Sequence, residues 1–531
     1  MKPLSLLDFG LFPKELPPSF SSGSSSSALA AHPAPPQSLR DNGETSPVRH
    51  SLARLSGTRR LLAIPNPIVE FHLVRAIESQ WPTIRERIES SPYSCSRPRF
   101  TRTLGRACAA QTSTGDLPFR RAANRTLGGY LLSADISEFY PSVYSHSIPW
   151  ALHTRAVAKA QRQNYQLVGN VIDLAIRLGQ SGQTKGIAIG PDSSLILGEL
   201  ILSAIDVAVS DRIEAVSGIR YYDDYELVFA TRHQAEKALA VLQEELVAYE
   251  LSLNPRKTRI DELPLPTDRP WLVRIRDYSL WGGAVDRQRV LAFFDEVFRI
   301  RGVEQDAYVV GYAIARLESV TLDGRSWRLV QQLLSQAVWA EPSAMPQFAR
   351  FLVKNYLAGL APDLRALSKL VNNIIQRAAP LNHGSEVAWA LWTAIAFGFK
   401  IGKESARALS FCKDNAVILL ALDAQSRGLV SRGLDVTLWA AMLGPDSLKS
   451  ENWLVAYEAY EQGWLSYSGP DYIATDVWFS KLRASNVRFY TRFHTISTRL
   501  LQRMAAQRSR SYGDSDRADA DSDVWEDAND G

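Results

Sequence analysis

The stretch IRYYDDYELVFA, residues 219–230, limits what this chain can fold into more than any other. Two short runs of aromatic and aliphatic residues flank a pair of adjacent carboxylates, Asp223 and Asp224. Such side chains favour strands, and aspartate favours the turn between them. The stretch therefore predicts a β-hairpin tipped with two negative charges. A polar tip alone would account for one such hairpin, so the rest of the chain has to say what the charges do.

Upstream, YLLSADISEFY (130–140) reads as a buried strand ending at Asp135. A helix is expected within 187–208, starting near Asp192 and Ser193, which suit an N-cap. After the hairpin, Ala235, Leu239, Leu242, Leu246 and Tyr249 recur at helical spacing, and a strand is expected over 251–260. Strand, helix, hairpin, helix and strand make an α+β sheet with helices on one face. An aspartate at a strand end and a pair at a hairpin tip can converge at one sheet edge. Three carboxylates that close repel unless a divalent cation neutralises them. Two magnesium ions about 4 Å apart would clamp the attacking and leaving oxygens of an in-line phosphoryl displacement.

The segments ADISEFY, GIAIGPDSS, YYDD and LSLNPRKT occur in the order and at the approximate spacing of reverse-transcriptase motifs A to D. The sequence resembles the prokaryotic defence-associated reverse transcriptases of the abortive-infection (Abi) and unknown-group lineage, over roughly residues 5–285. GLFPKELPPSF near the N-terminus, the IGPDSS form of motif B and the long helical C-terminal half point to that lineage.

The resemblance implies an α+β right-hand polymerase (fingers and palm) in the N-terminal half, then an all-α, helical-repeat-like C-terminal domain. The expected boundaries are 1–60 for an N-terminal segment with a flexible Ser/Pro-rich loop, 61–285 for fingers and palm, 286–508 for the helical domain and 509–531 for a disordered acidic tail. It also implies that Asp135 and Asp223 ligate two Mg2+ ions, which Mn2+ can replace, with the Ile136 carbonyl as an extra oxygen and Asp224 less directly bound. Tyr140 matches the steric gate that excludes a 2′-hydroxyl, and Gly190 and Ser194 match motif B residues beside the templating base pair. Lys257 matches the motif D lysine that protonates the leaving pyrophosphate. Arg120 or Arg121 would hold the triphosphate, and the sequence does not choose between them.

Two features depart from the family pattern. Ala188 and Ile189 stand where Pro-Gln is usual, and WLVRIRDYSLWGG (271–283) leads into helices with no clear thumb. The activity implied is that of a DNA polymerase, template-independent and protein-primed, acting in anti-phage defence. The alternatives are a conventional RNA-templated DNA polymerase, an RNA-directed RNA polymerase and an inactive RNA-binding scaffold. Expected partners are deoxynucleoside triphosphates, product DNA or RNA, and further copies of the chain.

Charge and composition add three constraints. Seven arginines lie between Arg97 and Arg125 against one acid, Asp116, a block that can meet polyanions. Three cysteines without metal-ligand spacing suit a reducing compartment, the cytoplasm. The start lacks a signal-peptide pattern, and the apolar run at 387–399 is too short to span a bilayer, so no membrane is expected.

Overall fold

The computed structural model describes residues 5–30, 36–103, 106–278 and 286–492; the tail expected over 509–531 lies outside them. Among the described residues eight strands make three sheets. β1 (Val48–Ala53) pairs with β2 (Arg59–Ile64), and β3 (Pro98–Thr103) with β4 (Arg106–Ala110), both antiparallel. β5 (Tyr130–Asp135), β6 (Ser217–Tyr221), β7 (Asp224–Phe229) and β8 (Arg259–Glu262) form an antiparallel sheet in the order β6–β7–β5–β8.

Register decides which side chains share a face, because directly opposed residues point the same way. Leu132 faces Leu227, Ala134 faces Tyr225 and Tyr130 faces Phe229. That side is apolar and joins the Asp192–Ser210 and Arg232–Ala248 helices in one buried core. The other side carries Ser133 opposite Glu226 and Arg259, and Asp135 opposite Asp224. Apart from the buried pair Leu131 and Val228, this side is polar.

Two expectations shift locally. The strand expected over 251–260 forms only at β8, because Asn254 and Pro255 open a turn in which the Asn254 carbonyl accepts from Lys257 and Thr258. Asp192 does not cap its helix. It is the first helical residue, and its carboxylate accepts instead from the Ala107 and Cys108 amides of β4, at 2.5 and 2.9 Å. This helix is long and apolar enough to cross a membrane, yet it is buried along most of its length.

From Pro270 onward the described chain is helical. Helices Leu364–Ala378, Gly384–Phe397, Asn415–Ser426 and Trp453–Glu461 pack each on the next. The short Thr437–Ala440 helix starts where the Asp435 carboxylate accepts from the Thr437 amide, after Gly433 at φ +126°. Trp389 and Trp392 are fully buried and serve the packing of this core.

The N-terminal segment is also different from expectation. Residues 20–48 were expected as a flexible loop with nothing to bury. They contain the Ser25–Leu29 and Pro36–Asn42 helices, and Leu29, Leu39, Ser22, Ser25 and Thr45 are buried. Leu7, Leu11, Phe12, Leu16 and Phe20 enter the same apolar core as the C-terminal helices. The Trp389 indole donates to the Glu15 carbonyl at 2.7 Å, His50 meets Asp414 at 2.8 Å, and the Thr491 amide donates to the Ser19 carbonyl at 2.8 Å. Serine and proline richness misleads here because the few large apolar residues, Phe20, Leu29, Leu39 and Val48, are all buried.

Glu458, on the Trp453–Glu461 helix, is buried and accepts from the Phe489 amide. Burial pushes its carboxyl up to about 7 from 4.5, against the opposing pull of the Phe489 amide and Arg488. Between those two pH values the folded chain keeps a proton that the unfolded chain releases, so stability falls as pH rises through the window. Glu458→Gln keeps an acceptor without the charge. Its stability relative to the parent should rise from pH 5 to pH 8 by up to about 3 kcal/mol. Chemical denaturation at both pH values checks this; an equal difference at both would refute it.

Candidate active site

The hairpin between β6 and β7 turns on two residues, Tyr222 and Asp223, with Tyr221 and Asp224 closing it as a pair. Tyr222 sits at φ +51°, a left-handed conformation uncommon for a non-glycine residue. The turn is tied to β5, since the Ile136 amide donates to the Asp223 carbonyl at 3.3 Å. The Asp135 carbonyl accepts from Asn254 at 2.8 Å, which brings the 254–258 turn alongside. The Lys257 ammonium then lies 3.2 Å from the Asp135 carboxylate.

Asp135, Asp223, Asp224 and Lys257, predicted from three separate motifs, are thus one cluster. Asp224, expected to be the less direct acid, is the one opposite Asp135 in register. The electrostatics follow from proximity. Asp223 is pushed up to about 6, first by burial and then by the Asp135 charge, with Lys257 and Arg60 pulling the other way. Asp224 is raised well above the usual carboxylate range by burial, Asp223 and Asp135.

A cation would relieve that mutual repulsion, and an all-oxygen donor set suits a hard ion such as Mg2+. Among the described residues no three His, Cys, Asp or Glu side chains form a ready-made metal cage. Such ions are commonly held by one or two carboxylates together with substrate phosphates, so the residues present fit that arrangement. The Ile136 side chain is buried in the core, and its backbone runs between the acids and Leu253.

The polar side of the sheet lines a cleft of about 590 Å³. Its wall includes Asp135, Asp224, Glu226, Lys257, Arg121 and Arg269. Glu226 holds Arg121, in the Leu117–Asn124 helix, at 2.5 Å and Arg125, which caps that helix, at 2.6 Å. Arg121 therefore faces the cleft, while Arg120 is exposed and lines a separate recess with Thr112 and Phe119. Much of the expected basic surface is engaged internally: Arg97 donates to the Ser91 carbonyl and Arg106 pairs with Asp192 at 3.5 Å.

Tyr140, Gly190 and Ser194 are not part of this wall. Tyr140 is half-buried, 5.3 Å from the Phe139 ring, and packs near Gly198. Ser194 is buried in the first turn of its helix. Gly190, at φ +130°, does permit a close backbone approach, but the neighbour is Pro13: a Cβ there would come within 2.5 Å of the proline ring. The N-terminal segment therefore packs directly against motif B at Gly190.

Three participants were missed from sequence. Glu226 was legible, because alternation puts it on the same face as Asp224. Arg60, within electrostatic reach of Asp223, comes from β2, more than 160 positions away in the sequence, and carries no local signal. Arg269 reaches Asp224 and Arg121 from the loop before the helical half, for which no pairing pattern exists.

Residues 76–267 match the family model for reverse transcriptase (RNA-dependent DNA polymerase). No curated protein matches the chain. Among solved structures, it is similar to apo telomerase from Candida tropicalis at 11% identity, over 59% of this chain and 62% of that one, with a TM-score of 0.32. It is also similar to telomerase from Candida albicans in complex with the TWJ fragment of telomeric RNA, at 11% identity over 67% and 64% of the two chains, with a TM-score of 0.29. The chain spans less than two thirds of either telomerase chain. Residues 76–267 are a reverse-transcriptase domain.

Proposed function

We propose that this protein adds deoxynucleotides to a growing 3′ end by two-metal nucleotidyl transfer, with residues 61–285 acting as fingers and palm. The observation that carries this is the juxtaposition of Asp135 and Asp224 in register, with Asp223 in the turn and Lys257 at 3.2 Å, inside the matched domain. Asp135, Asp223 and Asp224, with the Ile136 carbonyl, would hold two Mg2+ ions. Bound there, the ions would supply charge stabilisation at the attacking and leaving oxygens. Lys257 is placed to give a proton to the departing pyrophosphate. Arg121 is placed to bind the triphosphate by exchanging its Glu226 partner for phosphate oxygens.

Template-independent, protein-primed synthesis is the finer reading. It is supported by Ala188 and Ile189 in motif B and by Pro13 against Gly190. The motif resemblance adds a role in anti-phage defence and self-association, and the sparse cysteines add a cytoplasmic location.

The test is to incubate the protein with Mg2+ or Mn2+ and each labelled nucleotide in turn, without primer or template, and to resolve products before and after proteolysis. Deoxynucleotide products that enter the gel only after proteolysis support the reading. Activity only with added RNA template and primer would return the enzyme to conventional reverse transcription. A related prediction concerns Tyr140. Removing the ring should admit ribonucleotides, so Tyr140→Ala should raise ribonucleotide incorporation relative to deoxynucleotide by about tenfold or more. Competition between the two nucleotide types measures it, and an unchanged ratio would remove Tyr140 from the steric-gate role.

A further inference from the structure

Behind the hairpin the chain buries a second set of charges that touches no substrate in the scheme above. Arg220, three residues before Asp223, is 0% exposed. Its guanidinium meets Asp206 at 2.8 and 2.9 Å and Glu199 at 2.9 and 3.1 Å. Both acids project from the Asp192–Ser210 helix and are themselves buried. Four hydroxyls complete their shells. Ser91 and Tyr225 donate to Asp206 at 2.5 and 2.8 Å, and Ser94 and Ser96 donate to Glu199 at 2.7 and 2.6 Å. Burial pulls the Arg220 pKa down, but Asp206 and Glu199 outweigh it and hold it well above the ordinary value. Burial would raise Glu199, and Arg220 keeps it below the usual range. Arg220 and Glu199 are thus a buried ion pair.

A buried ion cluster rarely stabilises a fold more than apolar side chains of the same volume would. What it adds is directional, and here two bonds leave it for the turn. Arg220 donates to the Tyr222 carbonyl at 2.8 Å, and the Tyr222 amide donates to the Ser96 hydroxyl at 2.7 Å. Both backbone groups of Tyr222 are therefore gripped from below. A non-glycine residue in the left-handed region persists where its surroundings over-determine it, and this is such a place. The next residue is Asp223.

We propose that Arg220, with Glu199, Asp206 and Ser96, is a positioning assembly that fixes the Tyr222–Asp223 turn and so sets the Asp223 carboxylate relative to Asp135. For turnover the proposal rests on the polymerase reading; for turn geometry it does not. Arg220 is a positioning residue, since it acts on the reacting centre through the turn. A displacement of about 1 Å at a reacting centre can lower a rate about 100-fold.

The experiment uses the full chain with two variants. Arg220→Lys keeps the charge and loses the planar fork. Its kcat should fall about 100-fold with KM for the nucleotide within about threefold, and the Tyr222 amide should exchange with deuterium at least about tenfold faster. The triple variant Arg220→Met, Glu199→Gln, Asp206→Asn removes all three charges at similar volume, keeping the fold but not the grip. It should melt near the parent temperature with kcat still about 100-fold down. Parent-like kcat and Tyr222 exchange in the folded triple variant would overturn the proposal, as would unchanged exchange in Arg220→Lys. Exchange is read without turnover, so a parent protein that adds no nucleotide defeats the polymerase reading alone, and the turn assembly is then decided by exchange.

Discussion

Asp135→Asn should lower nucleotide addition about 1,000-fold or more while leaving the protein folded and no less stable. The catalytic part follows from position: Asp135 ends β5, opposes Asp224 and pairs with Lys257. Removing its charge takes away a ligand whose ion is worth several kcal/mol to the transition state, and each 1.36 kcal/mol is tenfold in rate. The stability part follows from electrostatics. Asp223 and Asp224 are both raised by the Asp135 charge, so neutralising it relieves repulsion in the ion-free protein. The same reasoning applies to Asp223→Asn. Primer extension together with thermal unfolding tests both parts. An active Asp135→Asn enzyme would end the metal assignment; an inactive one with a much lower melting temperature would make Asp135 structural.

Trp453→Ala should give the largest loss of stability, about 3–5 kcal/mol, from the deletion of a fully buried indole. Three contacts make the site hard to collapse. The ring lies 5.2 Å from Phe489 in an edge-to-face arrangement, the indole N–H donates to the Ile64 carbonyl at 3.3 Å, and Leu454, Val455 and Ala456 beside it are fully buried. Ile64 ends β2, so the cavity would open between the N-terminal hairpin and the C-terminal helices. Denaturant unfolding monitored by fluorescence and by circular dichroism measures the loss. A cost below 1 kcal/mol would mean that the two halves close without this contact.

The elements that position the acids were legible because they are local. A short apolar run predicts the strand ending at Asp135, two such runs flanking the aspartates predict the hairpin at Asp223, and 3.6-residue spacing predicts the Arg232–Ala248 helix. What escaped was set by partners far away in the chain. Asp192 looks like an N-cap until β4 offers it two amides. Gly190 looks like a nucleic-acid contact until Pro13 arrives. Residues 20–48 look unstructured until the C-terminal helices give their few apolar residues somewhere to go. The choice between Arg120 and Arg121 needed the helix orientation, which Glu226 fixes.

The N-terminal segment has a consequence for how the chain is made. Glu15 waits for Trp389, His50 for Asp414 and Ile64 for Trp453, separations of 374, 364 and 389 residues. At an elongation rate of about 5–20 residues per second, the first seventy residues spend tens of seconds outside the ribosome before those partners exist. The segment that packs against motif B through Gly10 and Pro13 is therefore completed last, although it is synthesised first. Nascent chains arrested before about residue 390 should carry a protease-sensitive N-terminus, and released full-length chains a protected one. Synthesis order and assembly order run in opposite directions here, so the motif B loop gains its buttress only once the last helices are in place.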